Sequence, residues 1–216
     1  DGEKWIYYNL GVIDKFHNKE VFKNDLPEHF SKESVFIFLC DLDYNFENIL
    51  TNDTKFMNTM PEWRANIRIF NNNTSCSYQG EYPGIFIDKS LSLVSCTPMI
   101  QKSNKINNYL FLVNLNESPK KINFDIEILD SKKNLLGKCK MYTNQINLID
   151  LNTYTKNSND IVYIIRSKAK GGVPIYFSHN HDFTQMSLEH THPPSSYLLF
   201  GNTMKFQKSK KNYWFN

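Results

Sequence analysis

The densest chemistry in the chain is a run of imidazoles. Four of the six histidines fall in the window 179–192, where composition alone would place fewer than one. The text reads His179-Asn180-His181-Asp182, a short bridge, then Glu189-His190-Thr191-His192-Pro193-Pro194. On an extended strand each H-x-H pair sends both rings to one face, and a tight turn between the pairs would fold them together as a hairpin. His179, His181, His190 and His192 in that arrangement suit Zn²⁺ or another divalent transition metal. Glu189 or Asp182 would serve as a carboxylate ligand or orient a ring. The two prolines remove ladder donors and should end the strand, leaving the histidines at the rim of a sheet. The plainer reading of these residues is a polar turn whose imidazoles bond backbone groups.

A second constellation pairs aromatic rings with planar polar groups: Trp63, Arg64 and Arg68 in one stretch, Tyr78, Glu81 and Tyr82 in the next. Arg64, Asn66 and Arg68 alternate onto one strand face, and a guanidinium can clamp a carboxylate or phosphate through two parallel hydrogen bonds. Trp63, Tyr78 and Tyr82 are expected to stack on a sugar or another ring, with Gln79 and Glu81 bonding hydroxyls. The plainer alternative is an exposed strand face covered by a tyrosine-rich loop.

Strands are the elements that must position both groups. Apolar residues alternate with polar ones wherever the chain is periodic, and no stretch of helical length shows a 3.6-residue apolar stripe. The clearest case is 121–129, where Ile122, Phe124, Ile126 and Ile128 are expected inward and Lys121, Asn123, Asp125 and Glu127 outward into solvent. A polar turn follows, and 136–142 returns with Cys139 and Met141 inward and Lys138 and Lys140 outward, completing a hairpin. Further strands are expected at 5–13, 35–42, 64–70, 85–96, 109–115, 146–151, 161–167, 173–179, 186–192 and 197–200. Short helices are expected only within 15–29 and 44–58. The fold class is therefore all-β, an antiparallel β-sandwich.

Composition bounds the rest. The 216 residues, 40% hydrophobic and 14% aromatic, can bury a substantial core and exclude disorder for most of the chain. Lys and Arg exceed Asp and Glu by only 3 charges, too few for a counterion-driven nucleic-acid binder. No apolar run approaches the ~20 residues of a membrane helix, so a soluble protein without a transmembrane segment is expected. Cys40, Cys76, Cys96 and Cys139 form no C-x-x-C pair and read as core thiols, with a Cys76–Cys96 bridge as the other option. Unpaired thiols favour the cytoplasm. The first residue, Asp1, suggests a trimmed N-terminus, which leaves the compartment open. The abundance of Asn and Lys resembles a low-GC, bacterial-like coding bias, so N-x-[ST] matches at Asn52, Asn72, Asn73 and Asn116 are attributed to composition.

The segment 36–43 matches 109–116 in residue type at every position. That echo suggests a duplication dividing the chain into similar packed halves: residues 1–103 with the Arg/Tyr face, and 104–216 with the histidine rim. The later part reads Phe111-Leu112-Val113-Asn114-Leu115, an alternating hairpin, Leu148-Ile149-Asp150-Leu151, Ile164-Ile165-Arg166-Ser167 and Val173-Pro174-Ile175. Over about residues 108–180 this order resembles the small β-sandwich of the sensory rhodopsin transducer superfamily, and the resemblance implies a small-molecule or sugar-binding module. The double H-x-H also invites comparison with the cupins, but no glutamate follows His192 at the spacing of that motif. Function is thus expected to be binding of a polar small molecule or glycan, with a divalent metal at the rim. The alternatives are a metal-dependent isomerase, lyase or hydrolase acting on a sugar, and a structural or surface assembly subunit forming a homo-oligomer through strand edges.

Overall fold

A computed structural model describes residues 6, 8–14, 16–30, 65–80, 93–114, 119–170, 172–190, 209 and 212–215. Ten strands are present among them: β1 Ala65–Phe70, β2 Ser75–Gly80, β3 Leu93–Cys96, β4 Ile106–Asn114, β5 Asn123–Leu129, β6 Leu135–Tyr142, β7 Gln145–Asp150, β8 Ile164–Ser167, β9 Val173–Asn180 and β10 Met186–His190. Helical residues are few: α1 Asn152–Thr155, two 3-10 turns, Lys23–Asp25 and Glu28–Phe30, and residues 209 and 212–215 near the C-terminus. No helix among the described residues is long and apolar enough to cross a membrane.

The fold is all-β, with every strand pairing antiparallel. Two four-stranded sheets, ordered β10-β9-β4-β7 and β3-β8-β5-β6, face each other, and a separate β1–β2 hairpin forms a third sheet. The central core is drawn from both large sheets. Leu110, Leu112, Ile149 and Tyr176 come from the first, and Leu93, Phe124, Ile126, Ile128, Met141 and Ile165 from the second. This is the sandwich arrangement, each sheet contributing alternate residues to one apolar layer. Strand β3, from the N-terminal side of Ser103, pairs with β8 and belongs to the same sandwich. A smaller cluster of Ile175, Phe177 and Leu188 lies on the first sheet and takes in Ile69 and Cys76 of the β1–β2 hairpin.

The corners are closed by side chains that imitate backbone. At the crossing from β6 to β7, buried Asn147 accepts from Tyr142 N–H at 2.8 Å and donates to Tyr142 C=O at 2.9 Å and Leu112 C=O at 3.2 Å. The β5–β6 turn is set by Asp130, whose Oδ1 accepts from Lys132 N–H and Asn134 N–H, with Lys133 in the left-handed region at φ 68°. On β6, Gly137 is required by a neighbour, because a Cβ there would run into the Tyr154 ring.

Several expectations are corrected. Residues 6 and 8–13 form no strand, and Ile122 is 39% exposed rather than inward, because it precedes the first paired residue of β5. The outward face at Glu127 is not simply wet. Val94, Leu129 and Ile164 are buried on that side with Trp214 and Phe215 packed against them, so the C-terminal segment covers part of the second sheet. Cys76 and Cys139 are free thiols, which removes the Cys76–Cys96 bridge, and Cys96 is exposed rather than a core residue. Burial pushes the Cys139 thiol up to about 11. Of these three cysteines, Cys139 should be alkylated most slowly near pH 8, because the thiolate is the nucleophile; peptide mass mapping of a timed iodoacetamide reaction checks this. The expected strands at 35–42 and 197–200, the helix at 44–58 and Cys40 lie outside the described residues.

Candidate functional site

The site lies where β9 turns into β10. Asn180 closes this turn: its N–H donates to Gln185 C=O at 3.2 Å, and its side-chain Oδ1 accepts from Gln185 N–H at 3.0 Å. Asp182 Oδ1 accepts from the Thr184 hydroxyl at 2.9 Å and from its N–H at 3.3 Å. Those bonds hold its carboxyl below the usual carboxylate range. Phe183, between them, sits at φ 56°. A left-handed conformation is costly for a bulky side chain and persists only where the surroundings impose it. Here the β1–β2 hairpin adds its support, with Asn71 donating to Phe183 C=O at 3.2 Å and Thr74 to Thr184 C=O at 3.5 Å.

The consequence is a stack of rings. Phe183 lies 3.9 Å from His179 with 10° between planes, and Phe177 and Tyr109 flank the imidazole at 5.3 Å and 5.7 Å. His179 is buried, while Phe183 remains 38% exposed. The Nδ1 of His179 lies 2.7 Å from Asn180 C=O; a carbonyl only accepts, so Nδ1 is the donor in this hydrogen bond. His181 is exposed, and its Nε2 donates to Asn104 C=O at 3.0 Å.

The register keeps His179 and His190 apart. His179 pairs with Met186, and His190 pairs with Ile175. Four residue steps along β10 separate them, roughly 13 Å, whereas ligands of one zinc ion each lie ~2 Å from it. Packing sets that register: Met186 and Leu188 must share a face with Phe177 to reach the apolar cluster. Glu189 pairs with Tyr176, is exposed, and lies one residue out of step with His190. His192 lies outside the described residues. No three His, Cys, Asp or Glu side chains group as a metal site among the described residues.

Of the Arg/Tyr constellation, only positions 68 and 78 are described. Arg68 pairs with Ser77, and Tyr78 with Ile67, so positions 68 and 78 fall on opposite faces of the hairpin. Ile69 and Cys76 face the sandwich. Arg68 is exposed on the other side, its guanidinium 5.3 Å above the Phe70 ring. Trp63, Arg64, Glu81 and Tyr82 lie outside the described residues. Reading the sequence for histidines found His179 but missed Phe183, Phe177 and Tyr109. The only textual signal for the stack was the aromatic alternation of β4 and β9, and nothing local marks Phe183 for a positive φ. No family model, curated protein or solved structure matches this chain.

Proposed function

We propose that the chain is a binding module for a polar small molecule or glycan, received at the β9–β10 rim. The observation that carries this is Phe183, an aromatic side chain held in a strained backbone conformation, stacked on buried His179 and still 38% exposed. Strain retained at an exposed aromatic suits a preformed platform on which the apolar face of a sugar ring can stack. Asp182 and His181 flank the platform and supply polar groups for hydroxyls. The resemblance of residues 108–180 to a superfamily of small-molecule or sugar-binding sandwiches supports the same reading.

Titration of the isotope-labelled chain with a panel of neutral and anionic monosaccharides and disaccharides, followed by amide NMR shifts, tests it. At least one sugar should perturb residues 179–185, and Phe183→Ala should weaken that sugar's binding about tenfold, or ~1.4 kcal/mol. The melting temperature of the variant should change little. A panel that leaves residues 179–185 unperturbed, or unchanged affinity in a folded Phe183→Ala protein, refutes the assignment.

A further inference from the structure

The four end strands of the sandwich differ in how they are protected from pairing with another chain. A bare strand edge is an invitation to association, and charged side chains, short length or a covering segment normally prevent it. Strand β6 carries Lys138 and Lys140, both exposed. Strand β3 has only four residues, and its Val94 lies under Trp214 and Phe215. Strand β10 carries Glu189 and shares an apolar cluster with the β1–β2 hairpin. Strand β7, Gln-Ile-Asn-Leu-Ile-Asp, has no Lys, Arg or Pro, and its one charge is its last residue. Among the described residues β7 pairs only with β4.

Its outer surface is also apolar. Ile146 and Leu148 are 53% and 59% exposed on one face, beside partly buried Phe111, which pairs with Leu148. The backbone is phased to match. Leu151 N–H donates to Asn108 C=O, so by antiparallel alternation the odd positions of β7 face β4, and Ile146 and Leu148 turn their N–H and C=O groups to the open edge.

We infer that β7 is a homodimer interface, pairing antiparallel with β7 of a second copy about a two-fold axis through Asn147. In that register Ile146 of each copy faces Leu148 of the other, which satisfies the open backbone groups and joins the apolar residues into one continuous strip on a single face. The occupant is a second copy because the strand complements itself in this register. Every outward apolar residue meets another. Asp150 falls opposite Asn144, and the two Asp150 carboxylates stand about 20 Å apart, beyond the ~8–10 Å over which salt leaves charges interacting. This inference is independent of the ligand proposed for the β9–β10 rim.

Size-exclusion chromatography with light scattering on the full chain, across the micromolar range, reads the result directly. The wild-type protein should approach twice its 25.4 kDa chain mass. Leu148→Lys and, separately, Ile146→Lys place two ammonium groups close together at the two-fold axis, and each should return the mass to that of one chain. Both side chains are more than half exposed, so thermal unfolding should be nearly unchanged; a variant that does not fold leaves the other as the test. A wild-type monomer throughout the range, a higher oligomer, or a dimer that survives both folded variants would overturn the assignment.

Discussion

Phe124→Ala is expected to lower the unfolding free energy by about 3–5 kcal/mol, the largest effect anticipated for a single side chain here. Phe124 is 5% exposed and sits on β5 opposite Met141, with Ile126 and Ile128 completing the stripe that β5 gives to the core. Truncation removes the transfer free energy of the ring and leaves a cavity between two sheets whose backbones are tied at the corners and cannot collapse to fill it. The measurement is a urea midpoint at constant slope. Asp125→Ala, one residue away and exposed, should stay within roughly 0.5 kcal/mol. Equal shifts in the two variants would mean that the register of β5 is wrong.

Glu127→Ala is expected to cost about 2–3 kcal/mol, well above the value for a solvent-facing strand residue. Two nitrogens of Arg166 approach Glu127 Oε2, Nε at 2.7 Å and Nη2 at 2.5 Å, and Lys138 Nζ holds Oε1 at 2.9 Å. The side chains of Glu127 and Arg166 are only 14% and 15% exposed, and Arg166 Nη1 also donates to Trp214 C=O at 2.7 Å. Removing the carboxylate leaves a largely desolvated guanidinium without its counter-charge. Breaking a fully buried pair costs ~3–5 kcal/mol, and the residual exposure lowers the figure here.

The same site sets a pH dependence. Burial would raise the Glu127 carboxyl, but hydrogen bonds and charge from Lys138 and Arg166 outweigh it and hold the group below its ordinary value. A carboxyl depressed in the folded state contributes stability that is complete above its unfolded value of ~4.3 and is lost as pH falls through the lower folded value. Glu127→Gln should therefore flatten the acid limb of the stability profile below about pH 5 relative to wild type. Because Asp130 and Asp182 are depressed as well, the quantity to compare is the difference between the two proteins. Parallel acid limbs would exclude Glu127 as a contributor.

Much of the architecture is a consequence of local pattern. Alternation along 121–142 placed Phe124, Ile126, Ile128 and Met141 on the face that meets the core, because successive side chains of a pleated strand point to opposite faces. The same rule located β4, β7, β8, β9 and β10 within a few residues. Alternation says only that a residue is on a face; it does not say what covers that face. Glu127 was assigned to solvent because its alternation is that of a wet residue, and only the distant Trp214 and Phe215 make its surroundings apolar. The histidine run shows the same limit. The sequence determined that His179 shares a face with Ile175 and Phe177, but whether it meets His190 or Phe183 depends on where the turn closes. That point is decided by Asn180 and Gln185 together with the burial of Met186 and Leu188. A hairpin register is settled by the sum of contacts on both its strands and the layer beyond them, and that sum exists only once the β1–β2 hairpin has been laid against the sandwich.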